Sequence, residues 1–289
     1  MTSTSKLIKK WKFRPSKRMG QNFLSDPQTA EMIVRRSDIS SEDIVLEIGS
    51  GLGAMTIPAA RIANKVYAVE KDSRIMPIIT EELLLQGINN ASVIEKNILD
   101  FNIRELKEKE NRDIIVIGNL PYNISSQILV KLIHSRLFIR HAVLMFQKEL
   151  AERIVSPPGC RDYGRLSVML GYCAEIETIA NVKADQFYPK PGVDSTILKI
   201  VFRKEYENRA DNEEYLFSVI KAAFGQRRKT LKNSLAGNLP LVDAKTAGEL
   251  LVMSGIDPSR RAETLSVPEF VRLCNVLNQA VGSAEKKTT

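Results

Sequence analysis

Cysteine and histidine are both scarce in this chain of 289 residues: Cys160, Cys173 and Cys274 stand far apart with no C-x-x-C pair, and His134 and His141 are its histidines. An odd set of widely spaced cysteines builds no disulfide framework, and too few soft ligands remain for a zinc site, so the sequence reads as a reduced, cytosolic, metal-free protein. No apolar run approaches the ~18 residues of a membrane span, and no signal-like apolar stretch follows the basic start, which disfavours insertion and secretion. Acidic residues are missing before Asp26, whereas Lys6, Lys9, Lys10, Lys12, Arg14, Lys17 and Arg18 precede it. Such a segment reads as a frayed solvated tail, an organelle transit leader or a nucleic-acid arm, and charge alone does not choose among them. Internal repeats and low-complexity segments are also absent.

What the chain does have is enough apolar material for a substantial core, 44% hydrophobic against 26% charged residues, at a length that suggests roughly two domains. A net charge of +8 points to an anionic partner without naming it. Asp26-Pro27 supplies a capping carboxylate and a proline for the first turn of a helix reaching about Arg36. Strand-like runs follow at 44–48, 66–69, 91–94, 114–117 and 142–146, separated by helical periodicity at 73–86 and 126–134. The alternation predicts an α/β fold, a doubly wound, largely parallel Rossmann-like sheet. Two further β-rich segments, 176–182 and 196–202, close that region, and past Arg203 the pattern is helical. Three divisions result: a basic arm over 1–24, a catalytic domain over 25–205 and a smaller all-helical domain over 206–289.

The run Ile114-Ile115-Val116-Ile117-Gly118 ends in Asn119-Leu120-Pro121-Tyr122. An amide, a rigid proline and an aromatic ring at the end of a buried strand suit an enzyme that holds a flat, nitrogen-bearing ring and acts on its amino group. Tyr122 as ordinary core packing is the competing reading, but a neighbouring polar Asn119 is costly to bury without hydrogen bonds. The first strand ends in Glu47-Ile48-Gly49-Ser50-Gly51-Leu52-Gly53-Ala54, and close glycines let backbone approach a ligand at the sheet's carboxyl edge. This turn also satisfies a dinucleotide fingerprint, with Glu70 ending the next strand in register for ribose hydroxyls. S-adenosylmethionine is favoured because the Glu47 carboxylate would attract a cationic amino-acid end and repel a pyrophosphate, and because hydride transfer has no use for the tetrapeptide.

Further segments join these motifs: Lys17-Arg18-Met19-Gly20-Gln21-Asn22-Phe23-Leu24, Tyr163-Gly164-Arg165-Leu166-Ser167, Phe187-Tyr188-Pro189-Lys190-Pro191-Gly192-Val193-Asp194-Ser195 and Ala223-Phe224-Gly225-Gln226-Arg227-Arg228-Lys229-Thr230-Leu231. In this order, over about 17–270, the chain resembles the ribosomal RNA adenine N6,N6-dimethyltransferases of the small subunit. The resemblance implies a class I methyltransferase fold using S-adenosyl-L-methionine. It implies that the Asn119 side-chain carbonyl and the Leu120 backbone carbonyl accept the adenine amino hydrogens, that Pro121 stiffens the turn, and that Tyr122 and Phe187 stack on the two faces of the base. Gln21, Asn22 and Leu24 would wrap the cofactor, Gly49 and Gly51 border it beside Glu47 and Asn119, and Glu70 bind its ribose through both oxygens. Asn97 departs from the family, where aspartate commonly accepts a hydrogen bond from the cofactor adenine; it keeps a carbonyl acceptor but not the charge. Ser50 stands where a proline is common.

Arg227, Arg228, Lys229 and Lys232, read as lying on about two helical turns, and Arg165 are the candidate RNA contacts, with a solvated helical face as the alternative for the cluster. Pro157-Pro158-Gly159-Cys160-Arg161-Asp162 reads as a mobile loop near the base pocket. The function implied is dimethylation of two adjacent adenosines in a terminal hairpin of small-subunit (16S) ribosomal RNA, with a role in rRNA processing and ribosome biogenesis. The expected partner is the small-subunit precursor and its rRNA, and the protein is expected to be a cytoplasmic monomer without membrane or metal. A macrolide-resistance type 23S rRNA methyltransferase, and an assembly or transcription factor keeping the fold for RNA or DNA binding, are the alternatives.

Overall fold

A computed structural model describes residues 2–206, 208–240 and 242–285, with the side chains of 281–285 left aside. The chain runs α1 (Thr4–Lys10), β1 (Phe23–Leu24), α2 (Pro27–Arg35), β2 (Ile44–Ile48), α3 (Thr56–Ala60), β3 (Lys65–Glu70), α4 (Met76–Leu85), β4 (Ala91–Glu95), α5 (Ile103–Glu110), β5 (Ile114–Asn119), α6 (Ser125–His134) and β6 (Ile139–Gln147). It continues through α7 (Lys148–Val155), α8 (Arg165–Cys173), β7 (Ala174–Val182), β8 (Phe187–Tyr188), β9 (Ser195–Phe202), α9 (Glu213–Ala223), α10 (Leu231–Asn238), α11 (Ala244–Met253) and α12 (Val267–Glu285).

β2 and the first five residues of β5 are buried throughout, as continuous apolar runs in a sheet covered on both faces must be. They are central in the strand order β4-β3-β2-β5-β6-β9-β7; β4 to β6 pair in parallel and β9 returns antiparallel to β6. Strand order reverses between β2 and β5, and a doubly wound sheet binds its ligands outside the carboxyl ends of the strands at that switch. The predicted fold class is therefore the observed one. A separate antiparallel ladder, β1 with β8, joins Phe23 to Tyr188 and Leu24 to Phe187; it was not foreseen.

Asp26 caps α2 as expected, accepting from the Gln28 and Thr29 N–H groups at 3.3 and 2.9 Å, with Pro27 in the first turn. The N-terminal segment is not a frayed tail or a free arm. Leu7, Ile8 and Phe13 are buried with Phe23, Leu52, Ile57, Ile75, Ile78, Ile79 and Leu83, and Thr4 Oγ1 donates to the Leu24 carbonyl at 2.8 Å. Its lysines Lys6, Lys9, Lys10 and Lys12 face solvent around that apolar stripe, the usual arrangement of an amphipathic segment.

The chain divides into two compact units, 1–151 with 175–202 and 152–174 with 203–289. The segment 152–174, expected within the catalytic domain, therefore belongs with the helices of the second unit. That unit buries Leu216, Phe217, Leu231, Leu251, Phe270 and Leu277. Arg260 and Ser266 both bond to Glu269 there, holding its carboxyl down at about 2, chiefly through the guanidinium.

Candidate active site

At the switch point β5 closes on β2 because residue 118 has no side chain: a Cβ on Gly118 would lie 2.8 Å from the Ile48 carbonyl oxygen. Beyond β2 the backbone turns through Gly49 and Gly51 at φ 73° and 51°, values that favour glycine. The turn, the N-terminal segment, the end of β3 and the tetrapeptide enclose a cavity of about 600 Å³.

Each wall is fixed by identifiable bonds. Asn119 lines the cavity and donates its amide N–H to the Asn22 carbonyl at 2.8 Å. Among the described residues, neither its Oδ1 nor the Leu120 carbonyl accepts a hydrogen bond, so both remain as acceptors, while the Leu120 N–H is bound to the Met145 carbonyl at 3.3 Å. Pro121 is held through its own carbonyl, which accepts from the Ser125 hydroxyl at 2.8 Å and the Ile124 N–H at 3.2 Å. Tyr122 lines the cavity and ties its hydroxyl to Ser195 Oγ at 2.9 Å; burial raises its pKa and the Ser195 bond lowers it in part.

Glu70 accepts from Gly51 N–H on Oε2 at 3.0 Å and from Lys71 and Asp72 N–H on Oε1, both at 2.9 Å. Those bonds saturate Oε1 and leave one acceptor position on Oε2, so the expected grip through both oxygens is reduced here to one free position. Gln21 and Asn22 line the cavity as expected, but Gln21 serves as a clamp. It donates to Asp72 at 2.8 Å and accepts from Ser16 N–H at 2.7 Å, while Arg74 holds the Asp72 pKa low. Asn97 also lines the cavity, with Oδ1 accepting from Leu99 N–H at 3.2 Å, which leaves its second lone pair open.

Three expected residues stand off the main cavity. Leu24 and Phe187 lie in the core, 3% exposed, alongside Ala30 and Ile33; Phe187 therefore supplies no second stacking face in this arrangement, because its register opposite Leu24 turns it inward. The half-exposed ring there is Tyr188. Glu47 lines a smaller pocket of about 30 Å³ that shares Phe23, Gly49, Gly51 and Asn119 with the main one. Burial, opposed by a hydrogen bond from Thr56 and reinforced by the charge of Glu70, pushes its pKa up to about 8, so the charge expected there is largely absent at neutral pH. Ser50 Oγ, buried in the same pocket, has no partner among the described residues.

In the helical unit, Arg227, Arg228 and Lys229 lie on the turn between α9 and α10, not on helical turns, because α9 ends at Ala223 with Phe224 as its C-cap and Thr230 caps the start of the next. Arg227 donates to the Arg161 carbonyl at 2.7 Å, and Gly159 N–H to the Glu263 carbonyl at 2.8 Å, so the loop read as mobile is anchored. Arg228 and Lys229 face solvent, whereas the stem of Lys232 packs over Gly248, its Cδ 3.3 Å from where a Cβ on that residue would stand. The Arg165 Nε is buried without a partner among the described residues, and burial lowers the group's pKa. Sequence reading missed Asp72 and Ser125, which carried no visible signal, and placed Ser195 in a motif without giving it a role.

The ribosomal RNA adenine dimethylase model matches residues 12–279. The chain belongs to that family. It is an rRNA adenine dimethyltransferase. It is 51% identical over 285 residues to ribosomal RNA small subunit methyltransferase A of Desulforapulum autotrophicum, covering 99% of this chain and 100% of the relative. A crystal structure of a dimethyladenosine transferase from Plasmodium falciparum matches with a TM-score of 0.75 at 28% identity, over 89% of this chain and 98% of that one. The 23S rRNA methyltransferase ErmE matches with a TM-score of 0.65 at 26% identity, over 89% and 100%. Among the described residues no helix is long and apolar enough to cross a membrane, and no cluster of His, Cys, Asp or Glu is suited to a metal.

Proposed function

We propose that this dimethyltransferase uses S-adenosylmethionine to methylate twice the amino nitrogen of each of two adjacent adenosines in a terminal hairpin of small-subunit (16S) rRNA, as part of ribosome biogenesis. The observation that carries the site assignment is the locked amide of Asn119: with its N–H committed to Asn22, its Oδ1 presents an acceptor beside the free Leu120 carbonyl. An adenine amino group donates two hydrogens and has its lone pair delocalised into the ring. Two acceptors on those hydrogens favour a pyramidal nitrogen and aim the lone pair. The Tyr122 ring then offers a face for the extruded base.

The residues fit the methyl donor. Gly49 and Gly51 present backbone without side chains, Glu70 keeps an acceptor position for a ribose hydroxyl, and Asn97 one for an adenine amino group. When bound, the donor supplies an electrophilic methyl group. The nitrogen whose hydrogens Asn119 Oδ1 and the Leu120 carbonyl accept would take up that methyl group, the S–C pair staying with the donor's sulfur. The resulting ammonium is acidic and releases its proton to water, so the tetrapeptide needs no general base. Arg228, Lys229, Lys232 and Arg165 are proposed to meet RNA phosphates, which fix register while the base pocket specifies.

The small-subunit assignment rests on the full-length similarity to small-subunit methyltransferase A. Its test is to offer labelled donor with isolated small subunits, large subunits and free rRNA, and to map the labelled nucleoside. Dimethyladenosine in small-subunit RNA is expected. Label confined to large-subunit RNA overturns the substrate assignment, and no label in any arm overturns catalysis.

A further inference from the structure

Methyl transfer as described uses neither oxygen of the pair Tyr122 and Ser195, yet their hydroxyls are joined at 2.9 Å and Ser195 is fully buried. Tyr122 lies in a turn between β5 and α6, where no ladder fixes its direction. A ring on a turn is free about two side-chain torsions, and a bond at its far end restrains both.

Ser195 is suited to give that restraint because its own backbone is braced. It opens β9 opposite Gln147, on the strand pair whose Met145 carbonyl takes the Leu120 N–H. Its neighbour Asp194 accepts from Ala184 N–H at 3.0 Å and Lys183 Nζ at 3.1 Å, and the Asp194 carbonyl accepts from Lys148 N–H at 3.0 Å. The first residues of β9 are thereby tied on both sides, and the hydroxyl of Ser195 carries that rigidity to the ring.

We propose that Ser195 is a positioning residue for methyl transfer, holding the Tyr122 ring in the orientation that receives the target adenine. The proposal rests on the reading of Tyr122 as the stacking face. A small rotation of that ring moves the amino nitrogen out of line with the methyl, so the loss falls on the chemical step and not on donor binding.

Single-turnover methyl transfer to small ribosomal subunits, at saturating donor and subunits, tests it in Ser195→Ala, Tyr122→Phe, their double variant and Ser195→Thr, with donor Kd and Tm measured for each. Ser195→Ala and Tyr122→Phe are each expected to slow transfer by roughly tenfold, the scale of one lost buried hydrogen bond. The double variant should be no slower than the slower single one, because both remove the same bond. Ser195→Thr, which keeps a hydroxyl, should recover most of the rate, and donor affinity should stay within about twofold throughout. Wild-type rate in Ser195→Ala, losses that multiply in the double variant, or a donor affinity that falls as far as the rate would each overturn the proposal. Should Ser195→Ala not fold, Tyr122→Phe interrogates the same bond from the other side, and an unchanged rate there overturns it. Tyr122→Ala separates the two levels: full turnover removes the stacking reading itself, whereas a dead Tyr122→Ala beside a wild-type Ser195→Ala removes only the role of Ser195.

Discussion

The side-chain amide nitrogen of Asn119 lies 2.8 Å from the carbonyl oxygen of Asn22, so the segment before α2 and the end of β5 share one hydrogen bond across 97 residues. This bond makes the two faces of the amide unequal: the donor is spent on the protein and the acceptor is left for a ligand. Asn119→Ala removes both; Asn119→Asp places an acceptor against the Asn22 carbonyl. Each is expected to lower methyl transfer at least ~100-fold, the scale of losing a preorganised polar contact to the reacting group. Tm should move little in Asn119→Ala, since Asn119 is only partly buried, and fall further in Asn119→Asp, where two oxygens face each other. Radiolabel transfer and thermal melting check it, and turnover retained by Asn119→Ala would remove the assigned role.

Glu47 gives a pH dependence whose sign follows from its burial. Its pKa in the folded chain is about 8 against an ordinary 4.5, so folding favours the protonated acid. The stabilisation is complete below pH 4.5 and is lost as pH rises toward 8. Glu47→Gln keeps a neutral polar group in place, and is expected to remove the loss of stability over that window and to exceed wild type at pH 8 by up to about 4 kcal/mol. Urea melts across the range read it directly. Equal pH profiles for the two proteins would show that Glu47 ionises freely in the folded state.

Much of this architecture is legible in the sequence because the signals are local. The apolar runs at 44–48 and 114–117 announce buried strands, and Asp26-Pro27 announces a helix start; each appears where expected. Phe187 is different. Its residue type suggests a stacking ring, but facing is set by a two-residue ladder with Leu24, far too short to leave a periodic signal. The N-terminal helix is masked in the same way, since Leu7, Ile8 and Phe13 are few among lysines and gain meaning only from the apolar residues they meet. Gln21 has the composition of a ligand residue, and its engagement with Asp72 and Ser16 depends on chain segments brought together by folding.

Asn97 divides its carbonyl between Leu99 N–H and the cavity. Asn97→Asp retains the Leu99 bond and adds charge, which strengthens acceptance from both that N–H and an adenine amino group. Donor binding is expected to tighten by roughly threefold to tenfold, as a charge-assisted bond replaces a neutral one. Calorimetric titration measures it; unchanged or weaker binding would show that Asn97 serves only as the cap of its turn.

The basic turn between α9 and α10 separates into two kinds of residue, and their variants should separate too. Arg227 is bound to the Arg161 and Tyr163 carbonyls, at 2.7 and 3.4 Å, so its loss loosens a loop. Arg228 and Lys229 face solvent and are free to meet phosphate. Phosphate contacts reveal themselves through counterion release, which gives affinity a slope against salt of about one per contact. Arg228→Ala with Lys229→Ala is therefore expected to weaken small-subunit binding at low salt, to reduce the salt slope by about two, and to leave Tm unchanged. Arg227→Ala should lower Tm, with a smaller change in slope. The decisive quantity is the slope: a double variant whose affinity falls with an unaltered slope has lost something other than phosphate contacts, and the turn would then be a solvated surface with no part in gripping RNA.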